Sequence, residues 1–253
     1  MGLNISIAPE TILHLNGFQI TNSIFSSLII ISSLIIFALI VSSRQFTLIP
    51  NRRSLQNFLE TIVQGLISLY SSILGPTRAR QLFPLLTTYF IFILISNWFG
   101  ILPGVGSIGI WEVHEGERIL IPLFRSPSAD VNNTLALALI AMTFVQVQGV
   151  KIHNIGYFKK FINLTNPIKF FIGLIELVSE VAKVVSFAFR LFGNIFAGEV
   201  LLLVMGTLIA IPIAGNLLTI PFLVMEIFVG FIQSLVFVML ILAFTATATA
   251  KQH

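Results

Sequence analysis

Cysteine is absent from the chain, which excludes disulfides and thiolate metal sites. Charge is scarce as well. Asp, Glu, Lys and Arg make up 9% of the 253 residues, against about 25% in a soluble domain. With 56% apolar residues and a mean hydropathy of +0.99, an ordinary water-soluble domain is excluded too. The four histidines (His14, His114, His153 and His253) are scattered without ligand spacing, so no metal site is expected. Residues 1 to 18 hold Glu10 and no basic n-region, so no cleavable signal peptide is expected. The run GVGSIG (Gly104 to Gly109) matches a dinucleotide-type glycine pattern with Asp130 downstream, but it follows an apolar span and Pro103, with no βαβ context. MGLNIS at the start and the sequon-like NIS, NNT and NLT are short patterns with high chance rates. No nucleophile arrangement or phosphate loop is present, and no cofactor or nucleic-acid partner is expected.

What the chain does have is long apolar runs. Crossing about 30 Å of hydrocarbon takes about 20 apolar residues, and in lipid the backbone must satisfy its own hydrogen bonds, so such runs form helices. Spans are expected at about 20–42, 82–102, 131–150, 167–211 and 217–250. Gly75 with Pro76, Pro103, and Pro212 with Gly215 act as breaks. Residues 55–74 interleave Gln56, Asn57, Glu60 and Gln64 with apolar positions, the pattern of an amphipathic helix at the interface. Residues 103–126 read as a polar loop, and PSADVNNT (Pro127 to Thr134) caps the third span. The fold expected is all-α: one polytopic membrane domain over 1–253, with two long final helices.

Alternating the flanks of these spans places Arg44, Arg52, Arg53, Arg78, Arg80, Lys151, Lys159, Lys160, Lys169 and Lys251 on one side, and Arg118 and Arg125 on the other. The positive-inside rule makes the first side cytoplasmic, or its matrix equivalent, and leaves the N-terminus outside. Lys183 and Arg190 fall within the fifth span.

That span carries Glu176, Glu180, Lys183, Arg190, Asn194 and Glu199 among Ile, Leu, Val and Phe. An ionisable group at mid-bilayer costs at least ~2.5 kcal/mol, so each is a candidate for function. At about 100° per residue, Glu176, Glu180, Lys183, Arg190 and Asn194 fall within an arc of about 80°, while Glu199 lies about 180° from Arg190. On the last span Glu226, Gly230 and Gln233 share one face. Simple helix pairing accounts for Glu176 or Glu180 with Lys183. It does not account for Arg190, which has no acid three or four residues away, so its partner must come from another helix or another chain. Arg cannot release its proton, so it cannot relay one. It can hold a fixed charge that drives a nearby carboxyl to ionise and bars the passage of protons.

The run SFAFRLFGNIFAGE (Ser186 to Glu199) resembles the signature of the ATP synthase subunit a family, whose essential stator arginine falls on Arg190. PSADVNNT, NPIKFFIGLIELVSE and a final helix with a polar residue at 226 and Gln at 233 extend the resemblance over essentially the whole chain. The resemblance implies a proton-conducting stator subunit of a rotary F-type ATP synthase, not catalytic by itself, with ATP chemistry on other subunits. It also implies a rotor ring of c subunits, peripheral stalk b subunits and membrane lipid as partners. Asn194 and Gln233 correspond to residues near the arginine, Glu199 and Glu226 to the outer half-channel, and Glu176 and Glu180 lie at the inner one. Family members commonly carry Glu and His across the outer pair, whereas this chain has Glu at both, so the two compete for protons. The FGN spelling and Glu199 point to bacterial or plastid members, hence to a bacterial cytoplasmic membrane or an organellar energy-transducing one. The rival readings are a stand-alone secondary transporter or ion channel, which would favour an internal repeat the chain lacks, and a structural scaffold, which needs no unpaired mid-helix Arg.

Overall fold

The computed structural model describes residues 9–15, 18–44, 54–102, 104–106, 108–114, 117–161, 166–208 and 212–250; within these, side chains at 14–15, 18, 112–114, 117–120, 155, 159, 206–208 and 212–218 are left aside. Several residues named from the sequence, among them Arg52, Arg53, Glu115, Lys251 and His253, lie outside the described set.

Six helices dominate: α1 (Asn22–Ser42), α2 (Leu55–Leu74), α3 (Pro76–Phe99), α4 (Val131–His153), α5 (Pro167–Leu208) and α6 (Pro212–Thr249). Four helical stretches are long and apolar enough to cross a membrane: Asn22–Ser42, Pro76–Phe99, Val131–His153 and Thr219–Thr249. The chain is therefore an all-α polytopic membrane protein. α5, at 42 residues, is longer than any of them and carries the ionisable stripe.

The helix ends follow local chemistry. Ser54 caps α2 by accepting from the Asn57 N–H. Gly75, at φ 77°, makes the turn to α3, a left-handed backbone that glycine adopts without strain. α3 then begins on Pro76, about two turns earlier than the hydropathy suggested, because proline's fixed φ suits the first helical position. Arg78 and Arg80 are thus helical residues and not a flanking loop. Pro212 likewise opens α6, and Gly215 lies inside that helix rather than breaking it.

Two short antiparallel hairpins interrupt the helical pattern. The first pairs β1 (Thr11–Leu15) with β2 (Phe18–Thr21), and the second pairs β3 (Gly109–His114) with β4 (Glu117–Pro122). The segment read as a loop after the second span is in part this second ribbon. Its strands are only six residues each and lack a clean two-residue alternation, so they do not stand out beside helices.

Within the bundle, α3, α4, α5 and α6 bury Leu86, Ile93, Ala138, Ala141, Ala188, Leu191, Ile195, Phe237, Val238 and Ile241. Lipid tails give no hydrophobic drive to helix association, so close packing through small residues such as these alanines does the work. Phe187 meets Phe237 edge to face at 4.9 Å and Phe244 at 5.7 Å. α1 is attached differently. It buries only Asn22, Ser23, Ser26 and Ile30, and polar contacts hold its first turns: Asn22 donates to the Pro122 carbonyl, Ser23 to the Asp130 carboxylate, and the Arg125 N–H donates to Ser26. Asp130 also caps α4 by accepting from the Asn132 N–H at 2.9 Å, as PSAD suggested. The rest of α1 exposes Leu28, Ile35, Ile36, Phe37 and Leu39, a face suited to lipid.

Candidate functional site

The polar residues of α5 separate into three groups along the helix. At its start, α4, α5, α6 and a 3-10 segment (Asn154–Lys160) enclose a cavity of about 280 Å³ lined by Tyr157, Lys160, Glu176, Glu180, Lys183 and Phe244, among others. Glu180 is the most heavily partnered acid there. Lys183 reaches its Oε1 at 2.8 Å, Lys160 approaches the same oxygen at 3.7 Å, and Gln146 of α4 donates to Oε2 at 2.9 Å. Tyr157 donates to the Gln146 Oε1 at 2.7 Å, fixing which way that amide points. Glu176 pairs with Lys160 at 2.5 Å. The simple pairing account thus holds for Glu180 with Lys183, while Glu176 takes its cation from outside the helix. Each ammonium also lies over aromatic rings: Lys160 over Tyr157 (5.9 Å) and Phe161 (5.4 Å), Lys183 over Phe244 (4.8 Å). Burial works against the charge on Lys160, but the bond and charge of Glu176 outweigh it and hold the ammonium above its usual range. Burial raises Tyr157, Lys160 pulls it back, and the two glutamates raise it further. This phenol is a neutral hydrogen-bond donor.

Arg190 comes next. Its neighbours Phe187, Ala188 and Leu191 turn into the bundle, which leaves Arg190 exposed. It donates to the Ser186 hydroxyl at 3.4 Å. Among the described residues no carboxylate lies within ion-pair distance of it. One turn on, Asn194 donates to the Oε1 of Gln233 on α6 at 2.6 Å, and Gln233 is buried.

Beyond it, a cavity of about 150 Å³ is lined by Asn194, Ala197, Gly198, Phe222, Glu226 and neighbours. Glu226 is 4% exposed, and its Oε2 has no hydrogen-bond partner among the described residues. Gly198 makes room for it, since a Cβ there would lie 2.7 Å from Glu226 Oε1. α3 fixes the same turn of α6: Asn97 donates to the Gly230 carbonyl at 2.9 Å and Trp98 to that of Ile227 at 3.0 Å. Glu199 does not line this cavity. It faces Arg125 at 3.9 Å and accepts from the Ser126 backbone, yet it stays close enough to Glu226 for their charges to repel. Arg125 also acts on Glu10, whose carboxyl burial pushes up against that pull.

The structure therefore brings together Glu176 with Glu180, Asn194 with Gln233, and Glu199 with Glu226, and leaves Arg190 between these groups. Sequence reasoning missed Arg125, Gln146, Tyr157 and Lys160 as participants. Arg125 and Lys160 were counted only as flanking charges. Their partners lie on other elements, beyond the reach of periodicity within one helix. The remaining signal was the high charge density near the span ends.

A multi-pass helical membrane protein that keeps carboxylates, ammonium groups and a guanidinium with no described acid partner along one helix pair belongs to the class of ion-translocating membrane subunits. The family model described as "ATP synthase A chain" matches residues 24–246. "ATP synthase subunit a" of Helicobacter pylori (strain P12) is 33% identical over 220 residues, 85% of this chain and 84% of that protein. The protein of that name from Desulfotalea psychrophila is 34% identical over 201 residues, covering 78% and 73%; that from Syntrophobacter fumaroxidans is 35% identical over 199 residues, covering 78% and 73%. The chain belongs to the ATP synthase A chain family. It is a membrane-sector subunit of an F-type ATP synthase, working in proton transport and ATP synthesis with the other subunits of that complex.

Proposed function

We propose that this chain is the proton-translocating stator, providing two offset half-channels separated by Arg190. One observation carries the reading: Arg190 is an exposed, permanently charged group between two polar sites, with no carboxylate among the described residues within ion-pair distance. It lies ten residues from Glu180 and nine from Glu199 along α5, about 15 Å and about 13.5 Å. A guanidinium left open in this way suits a carboxylate supplied by another chain. The resemblance names one, the membrane carboxylate of a rotor c subunit.

Protons enter past Glu199 and Glu226 from the outer side of a bacterial cytoplasmic membrane and neutralise a rotor carboxylate. The ring carries them round through lipid. On returning, each carboxyl is driven to ionise by Arg190, and its proton leaves past Glu176 and Glu180. Arg190 also bars direct passage between the half-channels, because its charge never leaves. Asn194 and Gln233 flank the arginine and hold α5 to α6 beside it. Peripheral stalk b subunits keep the stator from turning with the ring. Each proton yields about 2.3 kcal/mol per 100 mV, so rotation sums several for each ATP.

In the complete complex, Arg190→Ala is expected to abolish ATP synthesis and ATP-driven pumping. Arg190→Lys fails as well, because a lysine in a dry site can lose its proton. An Arg190→Ala complex making ATP at the parental rate would reduce this residue to a packing charge.

A further inference from the structure

The inner cavity contains a group the translocation scheme does not use. Lys160 enters it from the 3-10 segment between α4 and α5, not from a span. Its ammonium lies 2.5 Å from Glu176 and 3.7 Å from Glu180, with Tyr157 and Phe161 beside it. One cation is thus shared by two carboxylates one helical turn apart. Without it the two face each other with Lys183 alone, and Lys183 is engaged by Glu180 at 2.8 Å.

We infer that Lys160 is a positioning residue for proton release: it is the counter-ion shared by Glu176 and Glu180 at the cavity, so that each arriving proton passes on to water and is not retained.

Every charged or titratable group described around the pair enters this balance. α5 contributes Glu176, Glu180 and Lys183. The 3-10 segment contributes Lys160 and Tyr157, and Tyr157 stacks on His153 of α4. α4 adds the neutral Gln146, and α6 faces the cavity with Phe244, Thr247 and Ala248, none of which titrates. The described balance is therefore two carboxylates against two ammonium groups. Removing Lys160 leaves the pair one cation short, with like charges a turn apart and only Lys183 to offset them. The mounting supports the role. Tyr157 packs tightly on α4, where a Cβ at Gly149 would lie 2.5 Å from its ring, and a Cβ at Gly173 would lie 2.3 Å from the Phe161 carbonyl. The segment carrying Lys160 is thus seated between α4 and α5.

The inference rests on the proposed direction of translocation, and its test separates the two. ATP synthesis is measured in vesicles holding the complete complex, with pH varied on the catalytic side at constant total driving force. Lys160→Gln should move the half-maximal point up by about one pH unit, the lower end of what an opposite charge at this range does to a carboxyl. Lys160→Arg should restore the parental position. Glu176→Gln should move the point the other way, because Glu180 alone then faces both ammonium groups, and this arm decides the matter even if Lys160→Gln fails to assemble. A rate lowered by one factor at every pH, equally in the Gln and Arg variants, would make Lys160 a mere structural strut and overturn the inference. Arg190→Ala runs alongside: if it still makes ATP, the translocation scheme fails, whereas a dead Arg190→Ala beside an unshifted Lys160→Gln refutes the release role alone.

Discussion

The two ends of the polar path are built on opposite principles. In the cavity around Lys160 both acids are paired with ammonium groups, and Glu180 accepts from Lys183 and Gln146 with Lys160 at 3.7 Å. Around Glu226 the acids outnumber the cations among the described residues. Glu10 and Glu199 both face Arg125, and Glu226 keeps an oxygen with no partner among the described residues. Clamping by cations makes a carboxyl give up its proton, while burial without a partner makes it hold one. On the proposed scheme, the acid-rich end takes protons up and the cation-balanced end lets them go. Arg190 is in reach of neither end's described acids, and on the proposed scheme it keeps the two apart.

The strongest way to break this contrast is to remove the uptake end. Glu199→Gln with Glu226→Gln should cut proton flux by about 10²-fold or more, the usual weight of positioned proton-transfer groups. Each single change should cost less, because the two are close enough to substitute for one another. Flux measured in vesicles checks this, and a double variant with parental flux would put the entry path elsewhere. Next in size is Gly198→Val. Its side chain would occupy the place of the Glu226 carboxyl, so flux should fall about tenfold, approaching the cost of a misplaced catalytic group, while the complex still assembles. The smallest effect is expected where the acid is structural. Asp130 is buried too, but it caps α4 and holds Ser23. Asp130→Ala should therefore leave flux per assembled complex unchanged and lower stability by about 1 kcal/mol, read as a lower melting temperature in detergent.

The same contrast shows what the sequence could and could not reveal. Helix α2 was legible to the residue, because Ser54 caps it and Gly75 with Pro76 ends it. The start of α4 was equally plain from Asp130. The stripe on α5 and the face of α6 could be read because both are periodic within one helix. Hydropathy misplaced the start of α3, since its first turns are polar: Arg78 lies there and donates to Thr249 of α6 at 2.9 Å. The counter-ions at each end come from elsewhere in the chain. Arg125 follows a β-ribbon and Lys160 sits in a 3-10 turn, and nothing in local spacing ties either to its glutamate. The acids were visible, but their counter-ions were not.

The central claim is that Arg190 is a barrier between two otherwise open half-channels, and passive proton flux tests it most directly. Vesicles carrying the membrane sector stripped of its catalytic subunits are given a proton gradient and its decay is followed. Arg190→Ala should leak faster than the parental sector, because the barrier is gone while both ends persist. Adding Glu199→Gln and Glu226→Gln to Arg190→Ala should stop that leak. If Arg190→Ala stays as tight as the parent, or if the triple variant leaks as fast as Arg190→Ala alone, the two-channel account is contradicted.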